Sequence, residues 1–337
     1  MEWNVTGHEW AAQLLQQHIA TGQVRHAYLF TGPPGVGRRT LALRFAQALN
    51  CTQPPAPGEP CGTCRICTQM ERMQQADLSI VQAEESGSMV KVDQVRDLQH
   101  SLSLMPYEAR YRVALLLNFQ DANDNAQNAL LKTLEEAPAR VILLATADAA
   151  ENLLPTIVSR CEVLRLRPMP VQHLQETLQT RWSVPPEKAR HLAHLSSGRL
   201  GYALRLHEDQ DLLEQRHQWL AEMLQLLGSN RRQRFTYAAQ FSGKAKKTIE
   251  KAEQRKIFQT WLTLWRDVML ASSGADLPLI NLQQAAQIQQ MAAALGWQTA
   301  SEQTANLERT LDLLERNVNR QLLAEVVLLD WPRLTLS

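Results

Sequence analysis

Short apolar runs alternate with amphipathic stripes through the first half of the chain. The apolar runs are of strand length and rich in Val, Leu and Ile, which is typical of buried parallel strands. They lie at residues 26–30, 78–81, 113–117, 141–145 and 161–166. Between them, residues 39–49 and 90–104 place apolar side chains at helical spacing. Strands separated by helices predict an α/β fold, in which helices cover both faces of a parallel sheet.

The pattern changes after residue 167. Pro168 and Pro170 are typical of a linker, and short helices are predicted at 172–180, 186–195 and 202–206. From residue 207 onward, long apolar stripes at helical spacing predict an all-α region. A chain of 337 residues is long enough for two or three domains. We therefore predict an α/β core over 1–167, a small helical domain over 168–206 and an all-α domain over 207–337.

A glycine-rich segment, Gly-Pro-Pro-Gly-Val-Gly-Arg-Arg-Thr, follows the first predicted strand. Its glycines, Gly32, Gly35 and Gly37, match the phosphate-binding pattern G-x-x-x-x-G-K-[ST] and would let backbone N–H groups approach a phosphate at a helix N-terminus. However, Arg38 replaces the lysine, and Arg39 replaces the hydroxyl residue that holds Mg²⁺. We expect this degenerate loop to attract a phosphate at most, and we do not expect ATP binding or turnover. A plain glycine-rich turn is the alternative.

The acidic half of an ATP site is also missing from the sequence. An active enzyme of this architecture needs acids at the end of its third strand, to hold Mg²⁺ and to activate the attacking water. Here the strand continues into Asn118, Phe119 and Gln120. Asp121 and Asp124 follow later, where they are typical of a turn and a helix cap. Two separate losses in one site point away from hydrolysis by this chain.

Four of the five cysteines form a cluster, Cys51-x9-Cys61-x2-Cys64-x2-Cys67. Paired C-x-x-C steps bring thiolates together on tight turns, and four thiolates make a closed tetrahedral Zn²⁺ site without an open position for chemistry. The segment 51–67 is rich in proline and poor in core residues, so the metal would supply its folding energy. We predict structural zinc; redox cysteines and disulfides are the alternatives.

Targeting signals do not appear in the sequence. The start of the chain lacks the basic and apolar regions of a signal peptide, and no apolar run approaches the ~20 residues that span a membrane. We therefore expect a cytoplasmic protein without a membrane partner. The cytoplasm is reducing, and disulfides are rare there. The net charge of +1 neither favours nor excludes a polyanionic partner.

Several motifs together resemble the clamp-loader branch of the AAA+ ATPases, which serves bacterial DNA polymerase III. They are the four-cysteine insert after the loop helix, the segment Asn128-Ala129-Leu130-Leu131-Lys132-Thr133-Leu134-Glu135-Glu136-Ala137-Pro138, Leu144-Ala145-Thr146 and Ser159-Arg160-Cys161. The resemblance covers roughly residues 32–167. It implies an AAA+ P-loop core with a zinc insert, followed by a helical lid and an all-α collar through which subunits assemble.

The resemblance also assigns roles to single residues. Thr146 matches a threonine that lies near the γ-phosphate in the family. Gly201 stands where the family's lid carries a nucleotide-sensing arginine, and Arg199 lies two residues away. Arg160 matches an arginine finger that reaches into the ATP site of a neighbouring subunit. An ordinary surface arginine is the alternative for Arg160.

These features imply a non-catalytic, stationary subunit of the replicative clamp loader, associated with the replisome on the nucleoid. Its implied partners are motor ATPase subunits and a clamp-opening subunit in a hetero-pentamer, and the assembly would place a sliding clamp on primed DNA. Two other functions stay open: a motor ATPase that uses Arg38 in place of lysine, and a zinc-dependent DNA-binding protein acting alone. Residues 231–256 are rich in Arg and Lys, which predicts a solvated helix face or, alternatively, a DNA-contacting strip.

Overall fold

The computed structural model describes residues 3–84, 88–242, 249–314, 316 and 318–334. Within them the chain divides into two compact units. The first consists of Met1–Met169 together with Arg199–Tyr202, and the second of Pro170–Gly198 and Ala203–Ser337. The predicted boundaries of the lid (168–206) and the collar (207–337) stay predictions, because most of both regions falls into the second unit.

A five-stranded parallel sheet forms the centre of the first unit, as predicted. Within the described residues its elements are α1 (Glu9–Ala20), β1 (Ala27–Thr31), α2 (Arg38–Asn50), α3 (Arg65–Glu71), β2 (Leu78–Val81), α4 (Val92–Leu102), β3 (Arg112–Leu116), α5 (Asp124–Glu135), β4 (Val141–Ala147), α6 (Pro155–Val158) and β5 (Glu162–Arg165). The strand order is β2-β3-β4-β1-β5. Because all strands run the same way, the loops after β1, β3 and β4 meet at one edge of the sheet.

Alternate side chains of each strand enter two separate cores. On one face, Tyr28 and Phe30 pack with residues of α1 and α2, including Phe45. On the other face, Ala27 and Leu29 pack with residues of α4 and α5. Burial on both faces explains why these strands read as continuous apolar runs instead of alternating patterns.

The second unit is helical in the described residues. Its elements are α7 (Val171–Trp182), α8 (Pro186–Ser196), most of α9 (Leu200–Glu208), α10 (Gln210–Gly228), α11 (Arg231–Ala238), α12 (Lys251–Ser273), α13 (Ala285–Leu314) and α14 (Arg320–Asp330). The helix α13 is kinked at Gly296, where φ is 71°. Trp261 and Trp265 are fully buried at the centre of a large apolar core. None of the described helices is long and apolar enough to cross a membrane.

Candidate functional site

The glycine-rich loop joins β1 to α2, as a phosphate-binding loop requires. Gly32 and Gly35 both have positive φ, 145° and 84°. A side chain at Gly32 would collide with the carbonyl oxygen of Leu166, and a Cβ at Gly35 would lie 2.9 Å from the backbone nitrogen of Tyr202. The loop therefore needs glycine both for its backbone conformation and for the close approach of neighbouring backbone.

Arg38, which replaces the loop lysine, is already paired within the chain. It is 7% exposed. Its guanidinium donates to Oδ1 of Asp148 at 2.7 Å and to Oδ1 of Asn118 at 3.1 Å. Both partners follow strands, β4 and β3, whose ends lie beside the loop in this sheet order. The charge of Arg38 is thus balanced by a carboxylate of the same chain, while the next residue, Arg39, is exposed.

The segment Arg199–Tyr202 packs directly on this loop. The backbone N–H of Gly201 donates to the carbonyl oxygen of Gly35 at 2.9 Å, and a Cβ on Gly201 would lie 2.9 Å from that oxygen. Arg199 lies over the ring of Tyr202, with its guanidinium carbon 4.8 Å from the ring centroid. Gly201 has no side chain to offer a phosphate, and close packing against Gly35 explains why glycine is needed there.

The residues at the ends of β3 and β4 are engaged with each other. The hydroxyl of Thr146 is buried and accepts the backbone N–H of Asn118 at 2.8 Å. Asp124, predicted as a helix cap, is instead the first residue of α5; the cap is Asn123, whose side chain accepts the N–H of Ala126. The prediction of a helix cap at Asp124 was therefore wrong by one residue.

The structure brings the four predicted cysteines together. Their sulfur atoms, from Cys51, Cys61, Cys64 and Cys67, all lie within 4.8 Å of one another, and those of Cys61 and Cys67 are 4.0 Å apart. A Zn–S distance of about 2.3 Å in a tetrahedron implies sulfur separations of about 3.8 Å, so a small contraction would close the site. The donor set and spacing fit one metal ion such as zinc.

Backbone N–H groups stabilise thiolates in this cluster. The N–H of Cys61 points at the sulfur of Cys51 at 3.3 Å, that of Cys64 at the sulfur of Cys61 at 3.2 Å, and that of Cys67 at the sulfur of Cys64 at 3.4 Å. Burial raises the pKa of the Cys61 thiol, but N–H donors from Cys64 and Thr63 outweigh it, and the pKa falls to about 6. Burial raises the pKa values of Cys51 and Cys67. The convergence of four sulfur atoms is what a metal cation such as zinc requires of its ligands.

The cysteine segment is anchored to the start of the chain. The indole N–H of Trp3 donates to the carbonyl oxygen of Gly58 at 3.0 Å, and the ring of Trp3 stacks on Phe45. A Cβ at Gly58 would lie 2.8 Å from the carbonyl oxygen of Gln16 in α1. The module 51–67 thus lies against α1 and α2 of the first unit.

Arg160 lies at the surface of the first unit, between α6 and β5. Its side chain is 36% exposed. One guanidinium nitrogen, Nη1, donates to the carbonyl oxygen of Thr156 at 3.0 Å, and Nη2 donates to Oε1 of Glu135 at 2.7 Å. Arg160 and Arg38 are therefore held differently: Arg38 is enclosed, whereas Arg160 is accessible from solvent.

The basic stretch 231–256 is not a uniform surface. Arg234 is 5% exposed and donates to five backbone carbonyl oxygens, which lie in the last turns of α10 and α14 and just after α14: those of Leu226, Leu227, Leu328, Trp331 and Pro332. Arg231 and Arg232 are exposed, while residues 243–248 lie outside the described residues. Arg234 therefore has a structural role, and its guanidinium is not available to DNA.

Sequence reasoning missed the partners of both arginines. Asp148 and Asn118 were not singled out, although Asp148 directly follows a strand end, a position that could have drawn attention to it. His8 was also missed: its Nε2 lies 2.9 Å from the carbonyl oxygen of Val36 in the glycine-rich loop. Glu135 belongs to the motif at residues 128–138, but the sequence did not predict a role for its carboxylate.

Comparison with known proteins gives one consistent family. The family model described as DNA polymerase III, delta subunit, matches residues 7–170. The DNA polymerase III subunit delta' of Pseudomonas aeruginosa is 36% identical over 220 residues, which are 65% of this chain and 66% of that subunit. The subunit delta' of Bacillus subtilis is 28% identical over 318 residues, 94% of each chain. The subunit tau of Escherichia coli is 36% identical over 177 residues, but they span only 27% of its length.

The fold is also shared with a solved structure. A DNA polymerase III gamma subunit-related protein from Thermotoga maritima matches with a TM-score of 0.50 and 15% identity, over 94% of this chain and 97% of that one. Likeness at that identity supports the AAA+ fold alone. The match of the family model and the two delta' relatives show that the chain belongs to the delta-prime family of DNA polymerase III clamp-loader subunits.

Proposed function

We propose that this chain is a non-catalytic subunit of the replicative clamp loader, which completes the ATP site of a neighbouring subunit through Arg160. The contrast between its two arginines carries the proposal. Arg38, at the chain's own loop, is buried and paired with Asp148, whereas Arg160 is solvent-accessible at the surface. The arginine in the lysine position of the loop is thus enclosed and paired, whereas Arg160 can be reached from outside.

The chemistry of phosphoryl transfer explains what an arginine from outside adds. Negative charge spreads over the oxygens of the transferred phosphoryl group in the transition state. A guanidinium beside these oxygens stabilises the transition state and raises the rate of hydrolysis about 10³- to 10⁵-fold. The planar fork of arginine binds two such oxygens at once, which a lysine cannot do. Arg160 would act on the neighbour's nucleotide, and the chain's own loop would take no part in turnover.

Assembly with other subunits is part of the proposal. The relatives are named as subunits of DNA polymerase III, which supports a complex with other subunits. We propose that these partners are motor subunits and a clamp-opening subunit, which act on a sliding clamp and primed DNA. The all-α region offers an apolar stripe on α14, formed by Leu322, Val326 and Leu329, which are 56%, 51% and 39% exposed. Residues at this spacing lie on one face of a helix, as a collar contact would need.

Zinc has a structural role in this proposal. The four sulfur atoms would hold one ion in a closed site, and the ion would fix the segment between Cys51 and Cys67 against α1 and α2. No open coordination position would remain for chemistry. The module is therefore separate from the proposed action of Arg160.

The experiment is the ATPase and clamp-loading activity of a reconstituted loader that carries Arg160→Ala. We expect normal assembly, a partial loss of total hydrolysis because other sites keep their own fingers, and a larger loss of clamp loading. Arg160→Lys should rescue only in part. The matched control is Arg165→Ala, since that arginine lies nearby on β5, is 69% exposed and pairs only weakly with Glu151 at 3.9 Å. Full activity of the assembled Arg160→Ala loader would overturn the proposal.

A further inference from the structure

The guanidinium of Arg160 donates to three groups of its own subunit, namely the carbonyl oxygen of Thr156, the hydroxyl of Ser159 at 3.5 Å and the carboxylate of Glu135. Besides the carbonyl oxygen of Thr156, its guanidinium contacts one carboxylate among the described residues, that of Glu135, at 2.7 Å. Glu135 is the last residue of α5, and Arg160 follows α6. Two contacts from two different elements fix both the direction and the plane of the guanidinium.

The strength of the ion pair determines whether the carboxylate of Glu135 keeps Arg160 away from a nucleotide or only orients it. The side chains of Arg160 and Glu135 are 36% and 52% exposed. An ion pair this exposed is worth about 0.2–1 kcal/mol. An arginine finger can supply about 10³–10⁵ in rate, which is several kcal/mol. The pair is therefore too weak to keep Arg160 away from a developing negative charge.

The pair is strong enough to limit the conformations of the free side chain. An unrestrained arginine loses most of its rotamer freedom when it is fixed. A side chain that is already oriented loses less when it meets its target, which is the general advantage of preorganisation. Nη1 donates to Thr156 and Ser159 and Nη2 donates to Glu135, so the N–H of Nε and one N–H of Nη2 remain to take an anion.

We infer that Glu135 is a positioning residue for Arg160 and sets its orientation before the neighbour's nucleotide arrives. This inference rests on the proposed function, because it assumes that Arg160 acts on a neighbouring ATP site. Glu135 itself would touch neither nucleotide nor reacting atoms. Its effect would pass entirely through the guanidinium of Arg160.

The test uses a reconstituted loader in which only the ATP site beside this chain is competent for hydrolysis. We expect Glu135→Ala to lower kcat at that site by about 2- to 5-fold, the worth of an exposed pair, with KM for ATP unchanged. Glu135→Gln keeps an acceptor oxygen and should restore most of the rate. The double variant Glu135→Ala with Arg160→Ala should be no slower than Arg160→Ala alone. The control is Glu136→Ala, because Glu136 is the adjacent exposed carboxylate.

The outcomes distinguish the role of Glu135 from the role of Arg160. A rise in rate with Glu135→Ala would mean that the carboxylate sequesters Arg160. An unchanged rate, or additive losses in the double variant, would remove Glu135 from the mechanism while Arg160→Ala still reports the proposed function. If Arg160→Ala itself has no effect, both the proposed function and this inference are wrong.

Discussion

Replacing Asp148 by alanine would leave Arg38 as a buried cation without its counter-charge. In the wild-type chain the two side chains are 2.7 Å apart, and the side chain of Arg38 is 8% exposed while that of Asp148 is 33% exposed. Asn118 would remain as a neutral partner at 3.1 Å. The substitution therefore removes one charged partner of Arg38, and that partner was itself partly exposed to water.

The expected loss of stability follows from this geometry. Breaking a fully buried ion pair costs about 3–5 kcal/mol, and a surface pair is worth about 1 kcal/mol or less. Because Asp148 is a third exposed, we expect about 2 kcal/mol for Asp148→Ala. A loss of that size lowers Tm by about 4–8 °C in a unit of 150–250 residues. Glu151→Ala is the control, since Glu151 is exposed and only weakly paired.

An added anion should replace the missing carboxylate. Pyrophosphate at 100 times its dissociation constant stabilises a binding-competent fold by about 2.7 kcal/mol. We expect it to raise the Tm of Asp148→Ala more than that of the wild type, as followed by thermal unfolding of the isolated chain. Asp148→Asn, which keeps the shape of the side chain, should respond in the same direction. Equal stability of Asp148→Ala and wild type, or an equal effect of pyrophosphate on both, would refute the internal pairing of Arg38.

Three further predictions concern the metal site, pH and the second unit. Cys61→Ser should remove the one zinc ion per chain in metal analysis and speed hydrogen exchange of residues 51–67, while the sheet amides stay protected; well below one zinc in the wild type would contradict the site. Burial first, and then the charge of His217 for His191 and the charge of Arg216 for both, lower the pKa values of His191 and His217. Because the unfolded chain then binds protons more readily, stability should be complete above a pH of about 6.5 and fall below it, and a double His→Gln variant should flatten this dependence in Tm measurements. Arg234→Met should cost about 3 kcal/mol or more in denaturant unfolding, because several buried carbonyl oxygens lose their donor, and an unchanged midpoint would exclude that role.

Local patterns were enough to predict most elements of the sheet and the candidate residues. Continuous apolar runs gave strands within one or two residues of those observed, because strands buried on both faces leave a strong signal. Glycine spacing and C-x-x-C steps likewise act over short distances along the chain. Asn123, the true cap of α5, differs from the predicted Asp124 because both residue types cap well and the pattern alone does not choose between neighbours.

Long-range partners could not be predicted in the same way. Arg38 and Asp148 are 110 residues apart in sequence, and Arg160 and Glu135 are 25 apart. Their contacts depend on the strand order and on how the helices end, which no local pattern reports. The same holds for Arg234, which composition places in a basic stretch although the structure encloses it. The state of an arginine therefore had to be determined from the structure, not from its position in a motif.

The position of Arg160 in an assembled loader tests the proposed function most directly. The measurement is the distance from its guanidinium to the γ-phosphate analogue in the neighbouring ATP site, in a structure of the complex with a transition-state analogue bound. We expect hydrogen-bond distance, about 2.7–3.2 Å, to an oxygen of the analogue. A guanidinium that faces solvent, far from any nucleotide, would contradict a role for Arg160 in trans.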